Sequence, residues 1–165
     1  MPLWVRSGLM TVLFPGMVAG VFPRLLAAGR WRLPLPFGPA RWLGVLPLAL
    51  GLVILGSTVV DFARLGRGTL APWDAPHHLV HERLYACVRN PMYLGVLGCI
   101  LGETVLWASG GVGAYLILIA FAFHVRVVAF EEPTLRRQFG KAFDDYLAAV
   151  PRWIPRLPPP SRGVG

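Results

Sequence analysis

Two short stretches hold most of the groups that could do chemistry. Arg89-Asn90-Pro91-Met92-Tyr93-Leu94-Gly95 brings a guanidinium, an amide and a phenol, and Glu131-Glu132 brings two carboxylates about 40 residues later. Between Arg89 and Arg126 lie 36 residues whose only formal charge is Glu103. Gly110-Gly111-Val112-Gly113 interrupts that apolar run in its middle. Two membrane helices joined by a tight glycine turn fit the pattern, and such a hairpin returns Glu131-Glu132 to the face that carries Arg89 and Tyr93. Polar groups gathered at one mouth of a hairpin make a candidate site. Glu103, His124 and Arg126 are a separate set, because ionisable groups inside a span are costly and usually face a cavity or the bundle interior.

The elements that must position these groups are membrane helices. The chain has 165 residues, is 55% hydrophobic and has a mean hydropathy of +0.58. A spanning helix needs roughly 20 mainly apolar residues. Four segments meet or approach that length, at about 7–28, 42–61, 91–108 and 112–130. The fold class expected is all-α: a polytopic membrane protein of about four transmembrane helices, with a C-terminal amphipathic interfacial helix. Residues 1–63 form an N-terminal two-helix segment, 64–155 the core that carries the site, and 156–165 a Pro-rich tail. Arg6, an apolar run and Ala27-Ala28 resemble a secretory signal, but the run contains Pro15 and Pro23 and continues almost to Arg30, so it is read as a span kinked at Pro15.

Pro91 suits a first helical turn, where a missing donor costs nothing. After Glu132, Pro133 can open a further helix in which Leu135, Phe139, Phe143, Tyr146 and Leu147 recur at helical spacing, so 133–149 reads as the interfacial helix. The connection 64–90 carries Gly66, Gly68, Pro72 and Pro76 and is irregular in its first half.

The net charge of +8 does not point to nucleic acid, since the basic residues flank apolar segments, where they set orientation. With both termini cytoplasmic, 11 basic residues lie inside and 4 outside, and Arg126 falls within a helix. That places the protein in a membrane, taken as a bacterial cell membrane, with the 110–113 turn outside. Cys87 and Cys99, one in a cytoplasmic segment and one inside a helix, are not expected to pair. His77, His78 and His81 beside Glu82 read as a polar loop at headgroup level in preference to a metal site, and no metal is expected.

Residues 77–95, the pattern Glu131-Glu132-x-x-Leu135-x-x-x-Phe139-Gly140 and Val150-Pro151-Arg152 together resemble the integral-membrane methyltransferases typified by isoprenylcysteine carboxyl methyltransferase. The similarity extends more distantly to phospholipid N-methyltransferases. It covers about residues 66–155. The resemblance implies S-adenosyl-L-methionine as cofactor and a lipid or lipophilic small molecule as acceptor. It further implies that His77, His78, Leu79, Val80, Tyr85, Asn90, Pro91, Met92, Tyr93 and Glu131 contact the cofactor. Two positions depart from the family pattern. Arg83 stands where glycine is usual, and because arginine strains a left-handed turn, a different local backbone is expected there. Val127 stands, by strict alignment, where a substrate-contacting arginine is usual, with Arg126 beside it.

The residue types suit that chemistry. A carboxylate can bind the cofactor's ammonium or ribose, or oppose its sulfonium. The start of the third span offers backbone donors to its carboxylate, and Tyr85 and Tyr93 offer ring faces. Methyl transfer is governed by positioning and exclusion of water, so no catalytic triad is expected and no catalytic residue is assigned. Arg126, Glu103, His124 and Glu132 are the acceptor-side candidates. Glu103 reads equally as a neutral interhelical residue or a pocket wall, and it is not level with His124. Gly95, Gly98, Gly102, Gly113 and Ala114 either let helices pack closely or leave a lateral gap for an acyl or prenyl chain. Two other functions compete: a membrane NADPH-dependent reductase of the sterol reductase type, and a non-catalytic membrane accessory protein.

Overall fold

The structure is a computed structural model that describes residues 13, 15–29, 31, 38–65 and 83–156, the side chains of 59 and 62–65 excepted. The expectations for 66–82, which include His77, His78, Leu79, Val80, His81 and Glu82, and for the first part of span 7–28, fall outside that range. Among the described residues all regular elements are helical.

Helix α1, Phe22–Ala27, follows a π-turn at Met17–Val21. A 3-10 segment at Gly38–Gly44 leads into α2, Val45–Leu65. A short α3, Leu84–Cys87, precedes α4, Pro91–Trp107. Helix α5, Gly110–Arg126, passes through a second π-turn at Val127–Glu131 into α6, Glu132–Phe139. Helix α7, Lys141–Ala149, completes the order.

Two helical runs are long and apolar enough to cross a membrane: Gly38–Thr58, and the 30 residues Gly110–Phe139. Helix α4 is 17 residues long, and Met17–Ala27 is a shorter apolar helix. Leu46, Leu50 and Val53 on α2 and Ile117, Leu118 and Phe121 on α5 turn exposed apolar side chains outward. That is the surface lipid requires of a spanning helix.

Helices α2 and α4 run antiparallel in close contact. A Cβ on Gly102 would lie 2.6 Å from the carbonyl oxygen of Gly44 and 2.6 Å from the Leu48 Cβ, and one on Gly51 would lie 2.6 Å from the Gly95 carbonyl oxygen. A Cβ on Gly98 would meet the Pro47 carbonyl oxygen at 3.2 Å. This seam closes the lateral gap considered for Gly95, Gly98 and Gly102: the space is filled by α2. Across α4, the core joins Val96 and Ile100 to Val18, Val112 and Phe123.

Three further expectations are corrected. The hairpin turns at Ala108–Ser109, not at the glycines: Ala108 is left-handed (φ +47°) and Ser109 Oγ caps α5 by accepting from the Val112 N–H at 3.4 Å. Gly110 sits in the first turn of α5, under the Trp31 indole. The single helix expected over 133–149 is two, broken at Gly140 (φ +52°, ψ −126°), and the first of them continues the spanning helix. Third, the backbone at Arg83 has φ +54° and ψ −120°, close to the Gly140 angles. The left-handed turn is therefore kept despite the side chain. Arg83 Nη1 donates to Asp61 Oδ1 at 2.5 Å, which ties the turn to the end of α2.

Candidate functional site at the hairpin mouth

Pro91 at the first position of α4 fixes φ where no intrahelical donor is due, and α4 then runs away from the mouth. The return of α5 delivers Arg126, Glu131 and Glu132 beside Arg89, Asn90 and Tyr93. Two polar clusters result, one around each glutamate.

Glu132 binds two arginines. Arg89 Nη1 donates to its Oε1 at 2.8 Å, while Arg152 Nε and Nη2 donate to Oε1 and Oε2 at 2.7 and 2.9 Å. Glu131 binds differently. The Tyr93 hydroxyl donates to its Oε1, and Arg126 Nε donates to the same oxygen at 2.8 Å and to the Tyr93 hydroxyl oxygen at 3.0 Å. The Tyr93 ring stacks on Phe123, with centroids 4.4 Å apart. Glu131 Oε2 carries no bond among the described residues.

A strap of residues 151–156 crosses the mouth. The Arg89 N–H donates to the Pro151 carbonyl and the Arg156 N–H to the Cys87 carbonyl, each at 3.0 Å. Asn90 Nδ2 donates to the Arg152 carbonyl at 3.2 Å, and Trp153 Nε1 donates to His124 Nδ1 at 3.2 Å. The Tyr146 hydroxyl donates to the Tyr85 carbonyl at 2.8 Å, which anchors α7 against α3.

Burial and charge shape the ionisation of this region. Burial pushes the Tyr146 phenol up to about 12. The Tyr85 phenol is raised further by burial, with added repulsion from Tyr146, Asp61, Tyr93 and Glu131, which places it within electrostatic reach of both the α2 end and the Glu131 cluster. Burial lowers Arg89, partly offset by Glu132. The hydrogen bond to Glu132 raises Arg152. Two guanidiniums on one carboxylate leave this corner net positive.

Of the sequence candidates, the structure gathers Tyr85, Asn90, Pro91, Met92, Tyr93, Arg126, His124, Glu131 and Glu132 at the mouth. Glu103 is elsewhere: it is buried on the last turn but one of α4, and its Oε2 has no hydrogen-bond partner among the described residues. Arg136, one turn beyond Glu132, pairs with Asp144 at 2.7 Å. Sequence reasoning gave Arg152 and Trp153 no role. Val150-Pro151-Arg152 was visible as a motif, but nothing local says that it folds back onto Asn90.

Comparison with known proteins shows the family. The phospholipid methyltransferase family profile matches residues 39–142, from the 3-10 segment before α2 into α7. The chain is 28% identical over 116 residues to a protein-S-isoprenylcysteine O-methyltransferase of Schizosaccharomyces pombe, covering 67% of this chain and 49% of that protein. It is 24% identical over 113 residues to protein-S-isoprenylcysteine O-methyltransferase B of Arabidopsis thaliana, covering 68% and 57%. It is 35% identical over 77 residues to methanethiol S-methyltransferase 2 of Bradyrhizobium diazoefficiens, covering 45% and 27%. The chain thus spans about half the length of the first two relatives. With the profile covering both long apolar helical runs and the clusters around Glu131 and Glu132, this chain belongs to the phospholipid methyltransferase family.

Proposed function

We propose that this chain is an integral-membrane methyltransferase that uses S-adenosyl-L-methionine to methylate a lipophilic acceptor. The observation that carries the reading is the Tyr93–Arg126–Glu131 cluster, built from both helices of the hairpin beside the N-terminus of α4. Its donors and acceptors fit the cofactor. Glu131 Oε2, to which no described residue bonds, suits an ammonium or a ribose hydroxyl. The N–H groups of Met92 and Tyr93, in the first turn of α4, have no intrahelical acceptor and suit a carboxylate. The rings of Tyr85 and Tyr93 suit an adenine or a sulfonium. His77, His78, Leu79, Val80, Asn90 and Pro91 complete the proposed set. Bound there, the cofactor supplies an electrophilic methyl group on sulfur.

The chain's own residues would bind, orient and exclude water. Arg126 Nε is engaged by Tyr93 and Glu131, which leaves its terminal amino groups for an anionic acceptor group. His124, held at Nδ1 by Trp153, stands next to them on α5. Glu132, already bound by Arg89 and Arg152, takes the role of holding the mouth together in place of contacting an acceptor. Glu103 lies towards the far end of α4, where only a long acceptor chain would reach it.

Calorimetry on the detergent-purified protein tests the reading. Saturable binding of S-adenosylhomocysteine with no heat from NADPH is expected; binding of NADPH alone points to the reductase, and binding of neither to an accessory protein. The mouth is proposed to face the cytosol, where the cofactor is made. In a background without Cys87 and Cys99, an impermeant thiol reagent added to intact cells should label Gly111→Cys and spare Ser161→Cys. The reverse pattern would overturn the orientation.

A further inference from the structure

Among the described residues, both π-turns end two residues before a proline. The Glu132 N–H bonds back five residues to the Val127 carbonyl, directly before Pro133. The Phe22 N–H bonds back five residues to the Met17 carbonyl, directly before Pro23. The cause is steric. A proline inside a helix lacks the N–H for the carbonyl four residues back, its ring strikes that carbonyl, and it disfavours helical angles in the residue before it. One extra residue in the preceding turn moves the carbonyl aside. Pro91 acts as an internal control: it lies in the first turn of α4, where no donor is due, and has no π-turn before it. Pro47, inside the run Gly38–Thr58, is instead preceded by the 3-10 segment Gly38–Gly44.

Only the second π-turn carries polar groups. In an α-helix, at about 100° per residue, side chains five apart point some 140° away from each other. A π-turn closes over five residues and stacks such a pair on one face. Arg126 and Glu131 are five apart, and they meet at 2.8 Å. Val127, next to Arg126, is buried at 2% exposure and faces the core. Phe123, three residues before Arg126 on α5, stacks on Tyr93, so α5 sets Arg126 beside Tyr93 and the widened turn brings Glu131 round to meet both.

We propose that Pro133 is a positioning residue for the mouth: it holds the Val127–Glu131 turn open, and the open turn puts Glu131 in register with Arg126 and Tyr93. The cofactor consequence rests on the function proposed above, but the register claim does not. The relaxed state has a definite prediction. Pro133→Ala restores the missing donor and removes the ring, so the turn can close to an α-helix and carry Glu131 away from Arg126 and Tyr93. Deleting the exposed Ala129 in the same variant brings Arg126 and Glu131 four apart, a spacing that shares a face in an α-helix.

The test compares three backgrounds: the native chain, Pro133→Ala, and Pro133→Ala with Ala129 deleted. In each, the thermal midpoints of Arg126→Gln, Glu131→Gln and the double variant form a cycle that reads the coupling of the two side chains across the turn. Non-additivity is expected in the native chain, its loss in Pro133→Ala, and its return in the compensated chain. Affinity for S-adenosylhomocysteine should fall at least tenfold in Pro133→Ala and recover with the deletion. If Pro133→Ala does not fold, recovery of folding and coupling in the compensated chain supports the proposal. Coupling that persists in Pro133→Ala, or a compensated chain that recovers neither, overturns it. A native chain that shows the coupling but binds no S-adenosylhomocysteine would sink the cofactor reading and leave the register claim standing.

Discussion

The seam between α2 and α4 and the mouth of the α4–α5 hairpin hold helices together by opposite means. At the seam, Gly44, Gly51, Gly95, Gly98 and Gly102 bring backbones into contact with almost no side chain between them. At the mouth, charged side chains span the gap: Arg89 and Arg152 on Glu132, Arg126 on Glu131, Arg83 on Asp61. Dispersion contacts in the seam work only at one separation and cannot be exchanged for others. Polar contacts at the mouth can be traded for contacts to a ligand. A rigid seam beneath an exchangeable mouth is what a binding site near a membrane surface requires.

The largest effect should follow from putting bulk into the seam. Gly102→Leu sets a side chain against the Gly44 carbonyl and Leu48 and forces the helices apart, at a cost of about 3 kcal/mol or more; thermal unfolding or folded yield in detergent reads it. Gly56→Ala, on the same α2 but with nothing within 4 Å of its new Cβ, should be neutral or stabilising by up to about 1 kcal/mol. If the two substitutions behave alike, the seam is not the rigid element.

The two glutamates should separate stability from binding. Glu132→Gln leaves two guanidiniums short of a carboxylate in a place where Arg89 and Glu132 are only 13% and 14% exposed. A loss of roughly 2–3 kcal/mol in stability is expected, short of the value for a fully enclosed pair. Glu131→Gln should cost less stability but about 1.5–3 kcal/mol in binding of S-adenosylhomocysteine, through loss of a charge-assisted bond. Equal binding by the native protein and Glu131→Gln would remove Glu131 from the site.

Alkaline titration gives a smaller signal. Tyr146 is raised from 10.0 to about 12 in the folded protein, so above pH 10 the unfolded chain loses its proton first. Stability from this group is intact below pH 10 and is lost as the pH rises towards 12. Tyr146→Phe should flatten that part of the profile. The smallest effect should come from Arg136→Ala: its pair with Asp144 is 56% and 53% exposed and is worth less than about 0.5 kcal/mol.

Much of the site was legible because it depends on local signals. The apolar run from Pro91 and the returning run to Glu131 fixed a hairpin, and a hairpin alone brings Tyr93 to Glu131. Glycine misled in two places. Gly110–Gly113 reads as a turn, whereas Ser109 supplies the cap and Gly110 makes room for Trp31. Gly98 and Gly102 were open to a reading as a gap because the sequence does not say which helix fills it. At Arg83, propensity argued against a backbone that tertiary contacts to α2 impose. The exchange of Arg126 for Val127 was invisible because a π-turn changes register without a distinctive composition of its own; only Pro133 marks it. The strap joins residues 62 apart, Asn90 and Arg152, and no periodicity reports a contact at that range.

The strap also sets an order of events. Chains fold as they are made, earlier segments first, and residues 151–156 emerge after every group they tie. Until then the Arg89 N–H, the Cys87 carbonyl and the Asn90 amide lack the strap groups they bond in the finished fold, and Glu132 lacks Arg152. A nascent chain can therefore bury its glycine seam while its mouth is still open. Residues 151–156 then convert an inserted hairpin into one able to hold a ligand, so a ribosome stalled before residue 151 would leave a membrane-embedded chain without a finished site.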